Sequence, residues 1–104
     1  MSAQFDVFSN PDSETSESHP YFIVLQVRQL AHLNTRIVAP LIVPKIIPGF
    51  ERLTPIVSVR GSRYMIDVTN IGVVPTKLTL QPIANLEAER YRIVAALDLV
   101  FTGI

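Results

Sequence analysis

The chain has 104 residues, nine Lys plus Arg against nine Asp plus Glu, and a formal net charge of zero. That length predicts one domain spanning residues 1–104. The even charge balance leaves no basic surplus for nucleic-acid binding, and the lack of cysteine excludes disulfides and thiolate chemistry. Residues are 48% hydrophobic and only 17% charged, an apolar excess that in a small domain points to a subunit contact. No apolar run approaches bilayer thickness, so no membrane partner is expected. Met1 to Asp6 carries none of the regions of a signal peptide, and a cytoplasmic location is expected.

Gln4–Phe8 alternates polar and apolar residues and predicts a short strand. Ser9–Pro20 is polar, acidic and bounded by prolines, which reads as a mobile loop. Tyr21–Val27 is aromatic and β-branched, the pattern of a central strand buried on both faces. Arg28–Asn34 is compatible with a helical turn or a loop. Thr35–Val43 is the next strand, and Pro40 marks an edge or a bulge in it, because proline cannot donate to a ladder. A turn follows at Pro48–Gly49. Leu53–Val59 and Arg63–Val68 form a hairpin about Arg60-Gly61-Ser62. Asn70-Ile71-Gly72 turns the chain again, and Pro75–Leu80 predicts a last strand with Leu78 and Leu80 on one face.

The final stretch, Asn85 to Ile104, has the period of a helix. Leu86, Arg90, Ile93, Leu97, Val100 and Ile104 recur at steps of four and three, and Val94 and Phe101 widen the stripe. Asn85 is a good N-cap, with Glu87 and Glu89 in the first turn. Glu87–Arg90 and Glu89–Arg92 are spaced to pair across one turn. Such a helix closes a core. The sharper alternative is that its apolar tip, ending at Ile104, meets another protein. Short antiparallel strands followed by one helix predict a mostly β fold, a small barrel with a C-terminal helix over its open side.

Chemistry is sparse. The only histidines are His19, in the acidic loop with Asp12, Glu14 and Glu17, and His32, near Thr35 and Arg36. The first group would make a loose metal site without ligand spacing, so no metal is expected. His32 with Arg36 would suit a metal-independent ribonuclease; a loop histidine is the plainer reading. Arg60 and Arg63 flank a hairpin turn and would suit a phosphate or an acidic partner, or simply solvent. Four scattered glycines form no phosphate loop, and no cofactor is implied.

Taken in order, these segments resemble the CcdB toxins of bacterial toxin–antitoxin modules. The resemblance rests on Gln4-Phe5-x-Val7-Phe8, Tyr21-x-Ile23-x-Leu25-x-Val27, Arg36-x-Val38-x-Pro40-Leu41 and Leu53-x-Pro55-x-Val57-x-Val59. Gly61, Tyr64, Thr69 and Val74-Pro75 continue it. Ile83-Ala84-Asn85-Leu86 and Ala96-Leu97-Asp98-Leu99-Val100-Phe101-x-Gly103-Ile104 complete it without a gap. The resemblance implies an SH3-like barrel, a homodimer and no enzymatic activity. It further implies binding to the DNA gyrase A subunit, poisoning of cleaved DNA–gyrase complexes, and neutralisation by a small antitoxin with a disordered tail. The family's gyrase contacts fall on Asp98, Phe101, Thr102, Gly103 and Ile104, and Val100 and Phe101 fall in the dimer contact. Asp98 stands where the family has asparagine, and Thr102 where it has tryptophan. Two alternatives remain open: an mRNA-cleaving toxin on the same barrel, and a non-poisoning homologue that only binds antitoxin.

Overall fold

The computed structural model describes residues 3–27, 30, 32–45 and 48–103. Parts of the Arg28–Asn34 segment, and Ile46, Ile47 and Ile104, lie outside the described residues. Among the described residues, seven strands form one antiparallel sheet: β1 (Asp6–Ser9), β2 (Tyr21–Val24), β3 (Thr35–Ile42), β4 (Ile56–Val59), β5 (Ser62–Ile66), β6 (Gly72–Pro75) and β7 (Ala84–Asn85). The helix α1 (Arg90–Thr102) ends the fold. Strand order is β4-β5-β3-β2-β1-β7, with β6 paired to β3 off that path. This is the expected small SH3-like barrel, nearly closed, with its C-terminal helix.

Strand β1 begins at Asp6 rather than Gln4, because Phe5 turns the chain with φ of 68°. Its amide donates to Val24 O at 2.7 Å, which locks the turn against β2. The alternation read from the sequence holds for Phe5 and Val7, but the opposite face is covered as well. Phe5 and Val7 enter the main core, while Phe8 stacks on Phe22 in a second cluster with Val24 and Val38. Both faces of β1 and β2 are therefore covered. The acidic loop expected to be mobile is knit by its own bonds. Asn10 Nδ2 donates to Thr15 Oγ1 and His19 O, and Asn10 N donates to Pro20 O.

Strand β3 is central. It pairs with β2 from Tyr21↔Leu41 to Val24↔Val38. Its other side is shared, β6 lying along Thr35–Val38 and β5 along Leu41 and Ile42. Pro40 sits where one partner gives way to the other. Its carbonyl accepts from Asp67 N at 2.9 Å. Carbonyl and amide of one strand residue point to the same side, so the missing N–H falls in the gap between β6 and β5. Pro40 thus marks a change of partner within a central strand, neither an edge nor a bulge. Between β4 and β5, Arg60 and Gly61 take φ of 51° and 81°, a type I′ turn whose twist suits a two-residue hairpin.

The expected strand Pro75–Leu80 is instead β6 followed by a 3-10 turn, Thr76–Thr79. Threonine hydroxyls drive the difference, since they offer backbone groups an alternative to the ladder. Thr76 donates from its amide to Asn34 O and from Oγ1 to Leu33 O. Buried Thr79 donates from Oγ1 to Thr76 O. Leu78 and Leu80, expected on one face of a strand, are instead on and just after this turn, and both are exposed.

The helix starts one turn later than its cap residue suggests. Asn85 is not the cap: it ends β7, paired with Asp6, and its Oδ1 accepts Glu87 N at 2.8 Å, while Leu86 and Glu89 precede the 3-10 turn and α1 without a side-chain cap. A 3-10 turn, Glu87–Glu89, then leads into α1. Both predicted ion pairs form, at 2.6 Å for Glu87–Arg90 and 2.7 Å for Glu89–Arg92. The Arg90 guanidinium beside Glu87 holds that carboxyl below its usual range. Arg90 also lies over the Phe5 ring at 4.9 Å and donates to Gln4 Oε1. Arg92 Nη2 donates to Ile56 O on β4. The helix therefore follows one end of the sheet, β7, and is tied to the other, β4. Ile93 and Ala96 fill the gap between them, fully buried against Phe5, Ile23, Leu41 and Val57.

Candidate functional site

Residues 93, 96 and 97 face the core, so steps of three and four along α1 put another set on its outer flank. That set is Tyr91, Val94, Asp98 and Phe101, with Ala95 and Thr102 beside them, and all are exposed. The first two turns of the helix close the core, as the apolar period suggests. The last turn does not. Val100 is exposed, and Phe101 is 70% exposed. Val94 and Phe101, expected to widen the buried stripe, point away from it. The buried stripe is narrow: Ile93 and Ala96 are buried and Leu97 is partly so.

Asp98, Phe101 and Thr102 stand at i, i+3 and i+4, so they share one surface. Thr102 Oγ1 donates to Asp98 O at 2.7 Å, which turns the hydroxyl back onto the helix. Gly103 ends the helix with φ of 73°, and its amide donates to Leu99 O at 3.1 Å. A Cβ at Gly103 would meet nothing within 4 Å, so the glycine serves the left-handed conformation and not a close contact. Of the five residues implied as target contacts, four come together at this tip. Ile104, the fifth, lies outside the described residues.

Tyr91 is a residue that sequence reasoning left between core and interface. It is 88% exposed, more than any other large apolar side chain among the described residues. The sequence marks it only as one of the aromatics, with Tyr21, Phe22, Phe50, Tyr64 and Phe101, that suit a core or an interface better than base stacking. Beside it, Glu51, Arg52, Pro55, Tyr91, Arg92 and Ala95 line a cavity of about 370 Å³ between α1 and the chain entering β4.

The groups weighed for catalysis do not converge. Arg36 is 1% exposed, and its Nη1 donates to Leu33 O at 2.7 Å and Thr35 O at 2.9 Å. That guanidinium is turned into the protein, away from any phosphate beside exposed His32. His19 Nδ1 lies 2.8 Å from Ser18 Oγ on the acidic loop. Among the described residues, no three His, Asp or Glu side chains are grouped to hold a metal ion, and no helix is long and apolar enough to cross a membrane. Arg60 and Arg63 are exposed at the hairpin.

The family model described as CcdB protein matches residues 4–103 of the chain. Comparison with curated proteins gives no match.

Proposed function

The chain belongs to the CcdB family, whose members are toxins of toxin–antitoxin modules, and on that premise we propose that it binds and poisons DNA gyrase. The contact is the last turn of α1 against the gyrase A subunit, through Asp98, Phe101, Thr102, Gly103 and Ile104. A small antitoxin with a disordered tail neutralises it by folding on binding. The toxin acts by binding, not by catalysis, and does so in the cytoplasm. The observation that carries this reading is the free last turn of the helix. A ring as large as Phe101 left 70% exposed, on a flank shared with Asp98 and Thr102, is a surface built for a partner.

Expression in a gyrase-sensitive host tests the reading. Growth should stop, covalent DNA–gyrase complexes should accumulate, and co-expression of the gene immediately upstream should restore growth. Total RNA should stay intact. Arrest with degraded RNA and no gyrase complexes would overturn poisoning in favour of the ribonuclease alternative.

The active form is a homodimer, joined around Val100 and Phe101. Val100 and Phe101 are both exposed, so both are open to a second copy. Stable two-fold dimers bury about 1,200 Å² or more, which needs more of the surface than these two residues alone. Light scattering at micromolar concentration should return twice the chain mass. A monomer under those conditions would remove the dimer from the mechanism.

A further inference from the structure

A cleft opens beside the end of β3, and none of its lining residues belongs to α1. Ile42, the last residue of β3, pairs with Met65 of β5. These two, with Phe50 and Leu53 from the chain before β4, form the apolar part of a cavity of about 230 Å³. Its charged side chains are Lys45 and Asp67. A second cavity, of about 260 Å³, shares Ile42, Lys45 and Asp67 with the first and reaches Ser18 and His19 of the acidic loop. The two cavities therefore meet at one cation, one carboxylate and one apolar side chain. Pockets for drug-sized ligands measure about 300–1,000 Å³. Each cavity is smaller than that, which limits an occupant to about the size of one amino acid.

The carboxylate is held in place before any ligand arrives. Asp67 N donates to Pro40 O at 2.9 Å, which pins the residue to β3. Asp67 Oδ1 accepts from Thr69 Oγ1 at 2.7 Å and from Thr69 N at 3.3 Å. Among the described residues, Oδ2 has no partner. The apolar wall is ordered too, since Leu53 N and Thr54 Oγ1 both donate to Phe50 O at 3.0 Å. Lys45 is exposed at the rim. It borders the same two cavities as Asp67, yet the ion pairs among the described residues are Glu87–Arg90 and Glu89–Arg92 and include neither. Two opposite charges thus border one cleft without neutralising each other.

We propose that this cleft binds a free amino acid with an apolar side chain. The ligand's ammonium lies on Asp67 Oδ2, its carboxylate on Lys45, and its side chain among Ile42, Phe50, Leu53 and Met65. Charge complementarity selects a zwitterion. A simple anion would meet Asp67, a simple cation would meet Lys45, and an uncharged apolar group would strip water from both charges without replacing it. The apolar wall selects the side chain. Phe50 is 50% exposed in the free protein, and covering it is favourable in proportion to the area removed from water. The cleft shares no residue with the proposed gyrase contact, so the inference stands or falls independently of that reading.

The test uses the full chain, isotope-labelled for NMR, and free leucine as the probe. Amide resonances of Leu53, Thr54, Asp67 and Thr69 should move on titration, while those of Tyr91 and Phe101 stay still. A ligand so small should bind with a Kd of about 1 mM. N-acetylleucine, which lacks the ammonium, and leucinamide, which lacks the carboxylate, should each bind at least about tenfold more weakly. Glycine, without an apolar side chain, should also bind more weakly. Asp67→Asn keeps an acceptor for Thr69, and Lys45→Met changes an exposed side chain, so both variants should keep the wild-type melting temperature. Each should weaken leucine binding by at least about tenfold. In Asp67→Asn the preference for leucine over N-acetylleucine should disappear. No movement at the cleft, or movement confined to other residues, would overturn the proposal. So would equal binding of N-acetylleucinamide, which would make the cleft a seat for an apolar side chain of a partner protein. Undiminished leucine binding by both variants would overturn it as well.

Discussion

Arg36→Ala should lower the unfolding free energy by about 3 kcal/mol or more. The side chain is among the largest fully buried ones, and it carries a permanent charge into the interior. Its Nη1 donates to two carbonyls, those of Leu33 and Thr35. Removing the guanidinium leaves those oxygens short of a donor, at roughly 1–3 kcal/mol for a buried group, and opens a cavity besides. Arg36→Lys should recover only part of the loss, because an ammonium cannot reproduce the planar fork. Arg36 also holds the corner where β3 meets β6, for Leu33 O and Asn34 O both accept from Thr76. The variant should therefore loosen β6 first, which amide exchange at Val73 and Val74 would register. Chemical denaturation checks the magnitude. A loss below about 1 kcal/mol would mean that the carbonyls find water.

The same residue shows what the sequence could and could not reveal. An arginine inside a strand of Val and Ile reads as a ligand for phosphate, or as a solvated face. Nothing local says that the loop before it folds back and offers carbonyls. Burial of a charge depends on partners that come from tertiary structure. Strand positions were more legible. β2, β3 and the β4–β5 hairpin lie within the stretches that alternation and β-branching marked, because side-chain period two is a local property. Pro40 was flagged as unable to donate, correctly, but its true setting needs two strands sharing one side of β3. Pro75–Leu80 failed for a different reason. Thr76 and Thr79 turn their hydroxyls onto backbone oxygens, and that competition is invisible to a hydrophobic pattern. The helix was legible in extent but not in orientation. Leu86 and Ile93 were placed on the core face, whereas Val94 and Phe101 were assigned to it and lie outside. An apolar period names one stripe, and a helix with apolar residues on two flanks does not say which of them the protein keeps for itself.

Thr102→Trp should raise affinity for the gyrase A subunit by roughly a hundredfold, the equivalent of about 3 kcal/mol. The argument starts from the tip as it stands. Thr102 shares its surface with Asp98 and exposed Phe101, yet its hydroxyl is spent on Asp98 O. A threonine held in that way offers a partner only a methyl group. An indole at the same position would project from the flank as a rigid aromatic anchor with a donor at its edge. The helix loses only the 2.7 Å back-bond, which bends helices more than it stabilises them, so the fold should tolerate the change. Phe101→Ala gives the reverse test on the same surface. It should weaken binding by at least about tenfold, with little change in stability, since the ring is mostly in solvent. Binding of the wild type, Thr102→Trp and Phe101→Ala to the isolated gyrase A dimer decides between the readings. Tight binding by Thr102→Trp alone would mark the natural chain as a homologue that keeps the fold and the antitoxin while its grip on gyrase has faded. If none of the three binds, gyrase is not the target, and the exposed flank from Tyr91 to Phe101 serves another protein.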